Sequence, residues 1–457
     1  MESVVVYYDL FQRWIYDRYS LEFNNPDSQV IMLLVYDPTD QNWFAYNDGV
    51  YAKQDIQDIN RIYFECMTNY QIPTSNPKLA HCIKYLEVIC KKNFQWLDAD
   101  ENYDCVQNGI VNLKTHELIS HTPELHFKYK VERNFLEDVD RVIPPALYKS
   151  LQSIPQQHDR ENYLKYWINT IHKYNDESFL MCYGVKWGGK STNLNIFSNM
   201  YGTQMTGKKA LHLIAKRFGL SNIYDKRVNI HPDMPIVAVD PFTISLIKTL
   251  TGGDGPVEVE IKGKTTFTYP VQLFLAFGIN QLMDFSRDAE KEIDSWMRRV
   301  ILVEFPESQA KDALFKKSIT DSQFLDEVYS WLVFQPCLPY FEEGEEEQWI
   351  QSNKKKWLMN SNPILKIIEE NYVSEKGTAI QSYEVVAHIK AELEQEGSLV
   401  PTNLKEQITN ALGTMGIFSN GRRGGSAQYI NIRKRDGQNL PPFNLDYILE
   451  DEQYGRK

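Results

Sequence analysis

The chain lacks the features that mark secreted, membrane and zinc-binding proteins. Its six cysteines form no Cys-x-x-Cys pair and have no histidine at the spacing of a zinc site, so we expect reduced, mostly buried thiols. No apolar run approaches the roughly eighteen residues of a membrane-spanning helix. The first residues have no basic segment followed by an apolar core. These absences predict a soluble, cytoplasmic protein without a membrane partner.

An excess of positive charge is also absent. Lys and Arg total 49 against 61 Asp and Glu, which gives a net charge of -12. The surface as a whole therefore cannot bind nucleic acid, and such a contact must use a local basic patch. The length of 457 residues allows roughly two to four domains, and a hydrophobic content of 42% is ordinary for a globular protein.

One segment has the pattern of a phosphate-binding loop. Residues 184–191 read G-V-K-W-G-G-K-S and fit G-x-x-x-x-G-K-[ST]. The apolar run 179–183 before the segment predicts a buried strand, and residues 191–201 after it have helical spacing. A chance glycine turn would not need these flanking elements. The residues expected to bind ATP are Gly184, Val185, Lys186, Trp187, Gly188, Gly189, Lys190, Ser191 and Thr192.

Within this loop, backbone N–H groups and the helix N-terminus would surround the phosphates. Lys190 would contact the β and γ oxygens, and Ser191 would hold Mg²⁺. An ATPase also needs a carboxylate at the end of a neighbouring strand. Spacing alone leaves Asp233, Asp240 and Asp225 as alternatives, because His-Pro interrupts the short strand before Asp233.

Two further segments predict strands that end or begin at polar side chains. Residues 271–280 are the most hydrophobic strand candidate and end at Asn280, whose amide could sense the γ-phosphate. Arg298 and Arg299 precede another buried strand, and an arginine supplied across a subunit contact would neutralise charge in phosphoryl transfer. A surface salt bridge is the alternative for Arg298.

The alternation of residues 257–269 predicts a β-hairpin around Gly263 with Lys262 and Lys264 at its tip. Two cations at a tip can bind DNA phosphates, and solvated lysines on an exposed turn are the alternative. Residues 342–347 form an acidic run that indicates a linker or a helix start.

Domain boundaries follow from these patterns. Residues 1–155 predict an N-terminal α+β domain, residues 156–340 a central domain with a parallel sheet, and residues 355–436 three helices followed by a basic hairpin. Residues 437–457 predict an acidic tail. The basic residues expected to bind DNA in the third domain are Arg422, Arg423, Arg433, Lys434 and Arg435.

Taken together, these segments resemble the superfamily III (AAA+) helicases, in particular the phage/plasmid primase-helicase family related to poxvirus primase-helicases. Six blocks in the family's order carry the resemblance, with similarity extending upstream to residues 108–123. The blocks are residues 183–192, 226–235, 248–254, 260–264, 277–280 and 298–305. The resemblance implies an α/β protein with an N-terminal α+β domain, a central P-loop AAA+ ATPase domain and a C-terminal winged-helix-like domain.

The resemblance also implies roles for individual residues. Asp233 would be the acid beside Mg²⁺, Asn280 the sensor and Arg299 the finger. The hairpin with Lys262 and Lys264 would line the pore of a ring and grip single-stranded DNA by its phosphates. The sequence departs from the family at Trp187, at Gly188, where Asn is common, and at Asp233, where Glu is common.

The function implied is an ATP-dependent DNA helicase that replicates a mobile element, phage or plasmid in the cytoplasm of the host cell. Its partners would be single-stranded and forked DNA, further copies of the chain, in a hexamer, and a separate primase or polymerase. A separate primase is favoured because Asp98-Ala-Asp100 lacks the zinc and histidine of a primase centre. The alternatives are an origin-binding scaffold without processive unwinding and a DNA-stimulated ATPase of a defence system.

Overall fold

The computed structural model describes residues 2–21, 31–96, 98, 100–174, 176–252, 255–271, 273–395, 400–414, 419–423 and 426–435. The predicted acidic tail, residues 437–457, lies outside the described residues. The chain divides into two compact units, residues 1–280 with 285–342 and residues 281–284 with 343–457. Within the described ranges, every helix is too short or too polar to cross a bilayer.

The described residues of the first part of the first unit combine helices with three antiparallel sheets, one of two strands and two of three strands. Its elements are α1 (Glu2–Tyr19), β1 (Ser20–Leu21), β2 (Ile31–Met32), β3 (Leu34–Asp37), β4 (Asn42–Asn47), β5 (Val50–Gln54), α2 (Ile56–Asn69), α3 (Asn76–Ile89), β6 (Tyr103–Val106), β7 (Gly109–Asn112), β8 (Leu118–Ile119) and α4 (Pro145–Leu151). Side chains alternate across β3 and β4. Leu34 and Trp43 join the core formed with the helices, whereas Val35 and Phe44 face the opposite side.

A five-stranded parallel sheet forms the second part of the first unit. Its elements are α5 (Gln157–Ile171), β9 (Phe179–Gly184), α6 (Lys190–Met205), β10 (Thr206–Gly207), α7 (Leu211–Ile214), β11 (Val228–His231), α8 (Pro241–Gly252), β12 (Val257–Val259), β13 (Phe267–Tyr269), β14 (Phe274–Ile279), a 3₁₀ helix (Arg287–Glu292), α9 (Ile293–Arg299), β15 (Val300–Phe305), α10 (Ala313–Ser318) and α11 (Ser322–Val333). The strand order is β10-β11-β14-β9-β15.

The predicted elements of this sheet are confirmed with shifted ends. Strand β14 is buried along its whole length and lies between β11 and β9, as its apolar sequence predicts. Helix α6 begins at Lys190 and continues to Met205 through a break at Gly202, where φ is 73°. Helix α8 begins at Pro241, and Asp240 caps it, because Asp240 Oδ1 accepts the N–H of Thr243 at 2.7 Å.

A buried ion cluster joins Asp104 in β6 to Arg227, directly before β11, and to Tyr329 in α11. Arg227 donates from both terminal nitrogens to the Asp104 carboxylate, at 2.9 and 2.6 Å, and the Tyr329 hydroxyl donates to it at 2.9 Å. Burial by itself raises the pKa of Asp104, but Arg227 and the nearby Lys173 lower that pKa below its usual value. The carboxylate therefore stays ionised and ties the two parts of the first unit together.

The cysteines are free thiols, and most of them are buried, as predicted. Cys66, Cys82, Cys90, Cys105 and Cys182 are buried, and Cys337 is partly buried. Burial raises the pKa of the Cys66 and Cys90 thiols to about 12. These two thiols are therefore protonated and unreactive near neutral pH.

The second unit consists of helices and a three-stranded antiparallel sheet of order β16-β18-β17. Its elements are α12 (Glu346–Ser361), α13 (Pro363–Asn371), β16 (Tyr372–Gln381), α14 (Ser382–Gln395), α15 (Leu404–Thr414), β17 (Ser419–Arg423) and β18 (Ser426–Lys434). Its core includes Ile368, Val385 and Ile408. Residues 342–345 of the acidic run form a non-helical connection, and Glu346 and Glu347 are in the first turn of α12, where the helix dipole favours negative charge.

A histidine in the first unit provides a test by pH. The His126 ring stacks on Phe94 with centroids 3.5 Å apart, and burial lowers the pKa of His126 from 6.5 to about 4. Because the unfolded chain takes up this proton at higher pH, stability is fully present above pH 6.5 and is lost as pH falls toward 4.

We expect His126→Phe, which keeps the stack, to lose less stability than the wild type between pH 7 and pH 5. The difference should be roughly 1 kcal/mol at pH 5 after allowance for solvent screening. Urea unfolding of both proteins at the two pH values measures it. Equal losses in the two proteins would contradict the buried, neutral state of this ring.

Candidate active site

The carboxyl ends of the parallel strands meet at one edge of the five-stranded sheet, where ligands bind in open α/β sheets. A cavity of about 330 Å³ lies at this edge. The residues that line it are Lys186, Trp187, Gly188, Gly189, Lys190, Ser191, Thr192, Asp233, Asn280, Gln309, Ala310, Lys311 and Lys316. The fold thus brings the glycine-rich loop, Asp233 and Asn280 to one place.

The glycine-rich loop passes from β9 to the N-terminus of α6 at Gly189. The φ of Gly189 is 100°, and a Cβ there would lie 3.0 Å from Ser153, so conformation and space both favour glycine. The Asn193 side-chain amide donates to the Gly189 carbonyl at 3.1 Å and to the Ser153 hydroxyl at 3.0 Å. These bonds fix the point at which the loop becomes a helix.

Lys190 lies folded along the loop. Its ammonium group donates to the carbonyls of Gly184, at 2.8 Å, and Val185, at 2.6 Å, and the residue is only 5% exposed. Burial lowers the pKa of Lys190, while the charge of Asp233 acts in the opposite direction. A lysine has three N–H donors, so a further acceptor can be bound while both loop carbonyls stay paired.

The chain after β11 places Asp233 beside the loop. The Ser191 hydroxyl donates to the Pro232 carbonyl at 3.2 Å, and the Met234 N–H donates to the Gly278 carbonyl at 2.8 Å. A Cβ on Gly278 would lie 2.2 Å from the Pro232 carbonyl oxygen. Only glycine allows this approach of the two backbones, and the approach puts Asp233 on the same cavity as Asn280.

We expect Gly278→Ala to move the 232–234 segment. The added Cβ would overlap the Pro232 carbonyl oxygen, and a backbone atom cannot turn away as a flexible side chain can. The melting temperature should fall by several degrees, corresponding to about 1 to 3 kcal/mol, and any nucleotide hydrolysis should fall with it. Gly413→Ala is the control, since a methyl group on Gly413 in α15 would have no described atom within 4 Å. A loss of stability in both variants, or in neither, would contradict the account of Gly278.

The two other carboxylates named by the sequence lie elsewhere. Asp240 caps α8 through its bond to Thr243. Asp225 lines a separate cavity of about 80 Å³ whose other residues include Lys128 and Arg227. Of the three aspartates, Asp233 alone lines the cavity of the glycine-rich loop.

The segment after β15 also contributes to the cavity, which sequence reasoning missed. The Gln309 N–H donates to the Trp187 carbonyl at 2.9 Å, and the Ser308 hydroxyl donates to the Lys186 carbonyl at 3.0 Å. Lys311 lies over the Trp187 ring, 5.0 Å from the centroid. The sequence could have indicated this contribution. Strand β15 is parallel to its neighbour β9, so the segment that follows β15 leaves the sheet at the same edge as the glycine-rich loop.

Arg298 and Arg299, at the end of α9, do not line the cavity. Both donate to one oxygen of Glu177, Arg299 at 2.8 Å. Arg299 also donates to the carbonyl and hydroxyl of Ser295, both at 3.0 Å, and is only 7% exposed, whereas the Arg298 side chain is 31% exposed. Arg298 therefore makes the salt bridge that was its alternative interpretation, and Arg299 makes one as well.

The predicted hairpin is formed by β12 and β13, which pair antiparallel. Its turn includes Gly263, with φ of 84°, and Lys262 at the tip is exposed. Lys264 makes an intramolecular hydrogen bond, in which its ammonium group donates to the Asn42 side-chain oxygen at 2.6 Å. Burial lowers the pKa of Lys264.

Of the five basic residues of the second unit that were predicted to bind DNA, four lie in its sheet and Arg435 directly follows β18. Arg422 and Arg423 are in β17, and Lys434 ends β18 with an exposed side chain. Arg433 pairs with Glu375 at 2.5 Å, and Arg435 donates to the Tyr372 carbonyl at 3.2 Å. Two of the five residues predicted to bind DNA in this unit, Arg433 and Arg435, thus contact residues of β16.

Two family models match separate parts of this chain. Residues 12–176 match the family described as D5 N terminal like. Residues 182–299, which include Lys190, Asp233 and Asn280, match a family of unknown function, DUF5906. No curated protein matches the chain. The first match supports a relationship to primase-helicase proteins, in agreement with the resemblance that the motifs carry.

Solved structures of low sequence identity also align with the chain. The apo structure of the NrS-1 C-terminal region (305–718) aligns at 10% identity with a TM-score of 0.46, covering 88% of this chain and 96% of that chain. A JCV helicase structure with a bound acetamide compound aligns at 13% identity with a TM-score of 0.26, covering 49% of this chain and 63% of that chain.

Proposed function

We propose that this chain is an ATP-dependent DNA helicase that acts in the replication of a phage, plasmid or other mobile element. The observation that carries the proposal is the cavity on which Lys190, Ser191, Asp233 and Asn280 meet. Three separate loops, after β9, β11 and β14, supply these groups. A lysine, a hydroxyl, a carboxylate and an amide around a glycine-rich loop are the groups that phosphoryl transfer requires.

The lining of the cavity fits a nucleoside triphosphate. In the part of the lining that the structure describes, the positive charges are Lys186, Lys190, Lys311 and Lys316, and the negative charge is Asp233. Among the described residues, no three His, Cys, Asp or Glu side chains are placed to hold a metal ion. Ser191 and Asp233 line the same cavity and supply oxygen ligands, so they would hold Mg²⁺ together with phosphate oxygens. When bound, Mg²⁺ would neutralise charge on the β and γ oxygens.

The side chains of the cavity have separable roles in this proposal. Lys190 donates to the terminal phosphates while its bonds to the loop carbonyls hold it in position. Asp233 accepts from the attacking water and orients it. Asn280, exposed at the end of β14, contacts the γ-phosphate with its amide and so distinguishes triphosphate from diphosphate.

The DNA contact is assigned to the hairpin. Lys262 is exposed at its tip and can pair with backbone phosphates without reading sequence. Lys264 joins it when its bond to Asn42 is exchanged for a phosphate. From α13 to β18 the second unit has the order helix, strand, helix, helix, strand, strand, which supports a winged-helix-like domain that uses Lys434 and its neighbours at duplex DNA.

The assembly we propose is a ring, with six copies, in which each nucleotide lies between neighbouring subunits. Arg299 or Arg298 of one copy would complete the site of the next after leaving Glu177. A separate primase or polymerase supplies synthesis. The Asp98 carboxylate supports this, because it already accepts the backbone N–H groups of Lys128 and Tyr129.

A second candidate is an ATP-dependent scaffold that assembles on DNA without unwinding it. The observation that favours it is that Lys264 and Arg299, which translocation would use, are both bound within their own chain. In this case the ring would form and hydrolyse ATP, but strands would not separate.

Strand displacement on forked DNA tests the proposal, with the mass of the protein determined in parallel with and without ATP and Mg²⁺. The helicase proposal predicts ATP-dependent release of the displaced strand by an oligomer. An oligomer that hydrolyses ATP but releases no strand would support the scaffold. A monomer under every condition, without hydrolysis, would contradict both.

A further inference from the structure

Trp187 is the most unusual residue of the glycine-rich loop. Its φ is 67°, a left-handed conformation that is costly for a large side chain and easy for glycine. The residue is nevertheless 68% exposed, on the wall of the cavity. Burial of the side chain does not offset the cost of this backbone conformation. We therefore expect the exposed indole to have a function at the cavity.

The surrounding chain holds Trp187 in this conformation. The Gln309 N–H donates to its carbonyl at 2.9 Å, so the segment after β15 fixes the backbone. The Lys311 ammonium group lies 5.0 Å from the centre of the ring, within the range of a cation–π interaction. The indole is therefore positioned rather than left to rotate in solvent, and most of its surface remains available to a ligand.

The ligand follows from the rest of the lining. The lysines and Asp233 suit the phosphate and metal parts of a nucleotide, and Trp187 is the one aromatic residue among the lining residues that the structure describes. A flat, weakly polar group that accompanies phosphates is a nucleobase, and bases stack on exposed indoles. A cavity of about 330 Å³ is within the range of small-molecule sites.

We propose that Trp187 stacks on the base of the bound nucleoside triphosphate and that Lys311 positions the indole for this contact. The inference rests on the proposed function, because the phosphates of the same ligand occupy the loop. A purine offers more stacking area than a pyrimidine, so the site prefers purine nucleoside triphosphates. Trp187 thus contributes base preference, and Lys190 contributes phosphate affinity.

Calorimetric titration of the full chain with ATP, UTP and inorganic tripolyphosphate tests this division. Trp187→Gly is expected to weaken ATP binding about tenfold and to remove the preference for ATP over UTP. Its affinity for tripolyphosphate should stay unchanged. The melting temperature should stay the same or rise, since glycine adopts the positive φ without strain.

Matched variants separate the possible failures. Phe242→Ala, which removes an aromatic side chain 62% exposed outside the cavity, should change none of the three affinities. Trp187→Phe should keep most of the ATP affinity. If Trp187→Gly binds ATP like the wild type, or weakens ATP and tripolyphosphate equally, the stacking role is overturned. If Lys190→Met changes neither the affinity for ATP nor the affinity for tripolyphosphate, the proposed function fails and this inference fails with it.

Discussion

Replacing Lys190 with methionine is expected to reduce ATP hydrolysis by at least about a hundredfold. Methionine keeps most of the length of the side chain but removes the charge and the three donors. The bonds to the Gly184 and Val185 carbonyls are lost as well, so thermal unfolding should be measured beside the hydrolysis rate. Release of inorganic phosphate from Mg-ATP measures the effect.

Lys186 provides the matched control, because it belongs to the same loop and lines the same cavity but has an exposed side chain. Lys186→Met should lower hydrolysis less than about tenfold, since an exposed charge is screened by water. If Lys190→Met keeps more than a tenth of the wild-type rate while it remains folded, Lys190 does not act on the transferred phosphate.

Replacing Asp233 with asparagine is expected to reduce hydrolysis by about a hundredfold or more while ATP binding is kept within roughly tenfold. The amide has nearly the same shape, but it cannot carry the negative charge that faces Mg²⁺ and the attacking water. A titration of ATP binding and a separate titration of hydrolysis against Mg²⁺ concentration distinguish a loss of nucleotide affinity from a loss of Mg²⁺-dependent catalysis. The Mg²⁺ concentration at half-maximal rate should rise.

Asp225 and Asp240 supply the controls for this experiment, since sequence spacing names all three aspartates. Asp240→Asn should be nearly silent because asparagine also caps a helix. Asp225→Asn should leave the rate largely unchanged because Asp225 lines a different cavity. If Asp225→Asn abolishes hydrolysis and Asp233→Asn does not, the assignment of the acid is wrong.

Strands β9, β14 and β15 of the central sheet were predictable because nearly all of their residues are apolar. Strand β14 is buried at every position, and parallel strands covered on both faces have that sequence. Strand β16 was not predicted. Only its first two residues are buried, and Gly377 interrupts it with φ of 90°, so its polar sequence gives no period-two pattern. Strand β16 forms because its backbone pairs antiparallel with β18.

The site was predictable where its groups are local in sequence. The loop and Lys190 follow from one motif with its flanking strand and helix. Asp233 could not be chosen over its rivals from spacing, because the choice depends on the approach of Pro232 to Gly278 in a neighbouring strand. The contribution of Lys311 depends on the neighbouring positions of β15 and β9.

Arg299 and Lys264 bind partners that are distant in sequence. Glu177, which holds Arg299, is 122 residues away along the chain, and Asn42, which holds Lys264, is 222 residues away. Spacing within a motif carries no information about such partners. The fold adds that Arg299, which is only 7% exposed, must leave Glu177 before it can act on phosphate.

The decisive measurement is phosphate release from Mg-ATP by the wild type and by Lys190→Met, each with and without a single-stranded oligonucleotide. Hydrolysis by the wild type should rise when the oligonucleotide is added, and Lys190→Met should show no hydrolysis above background. Equal rates in the two proteins, or no phosphate release by the wild type even with the oligonucleotide, would contradict it.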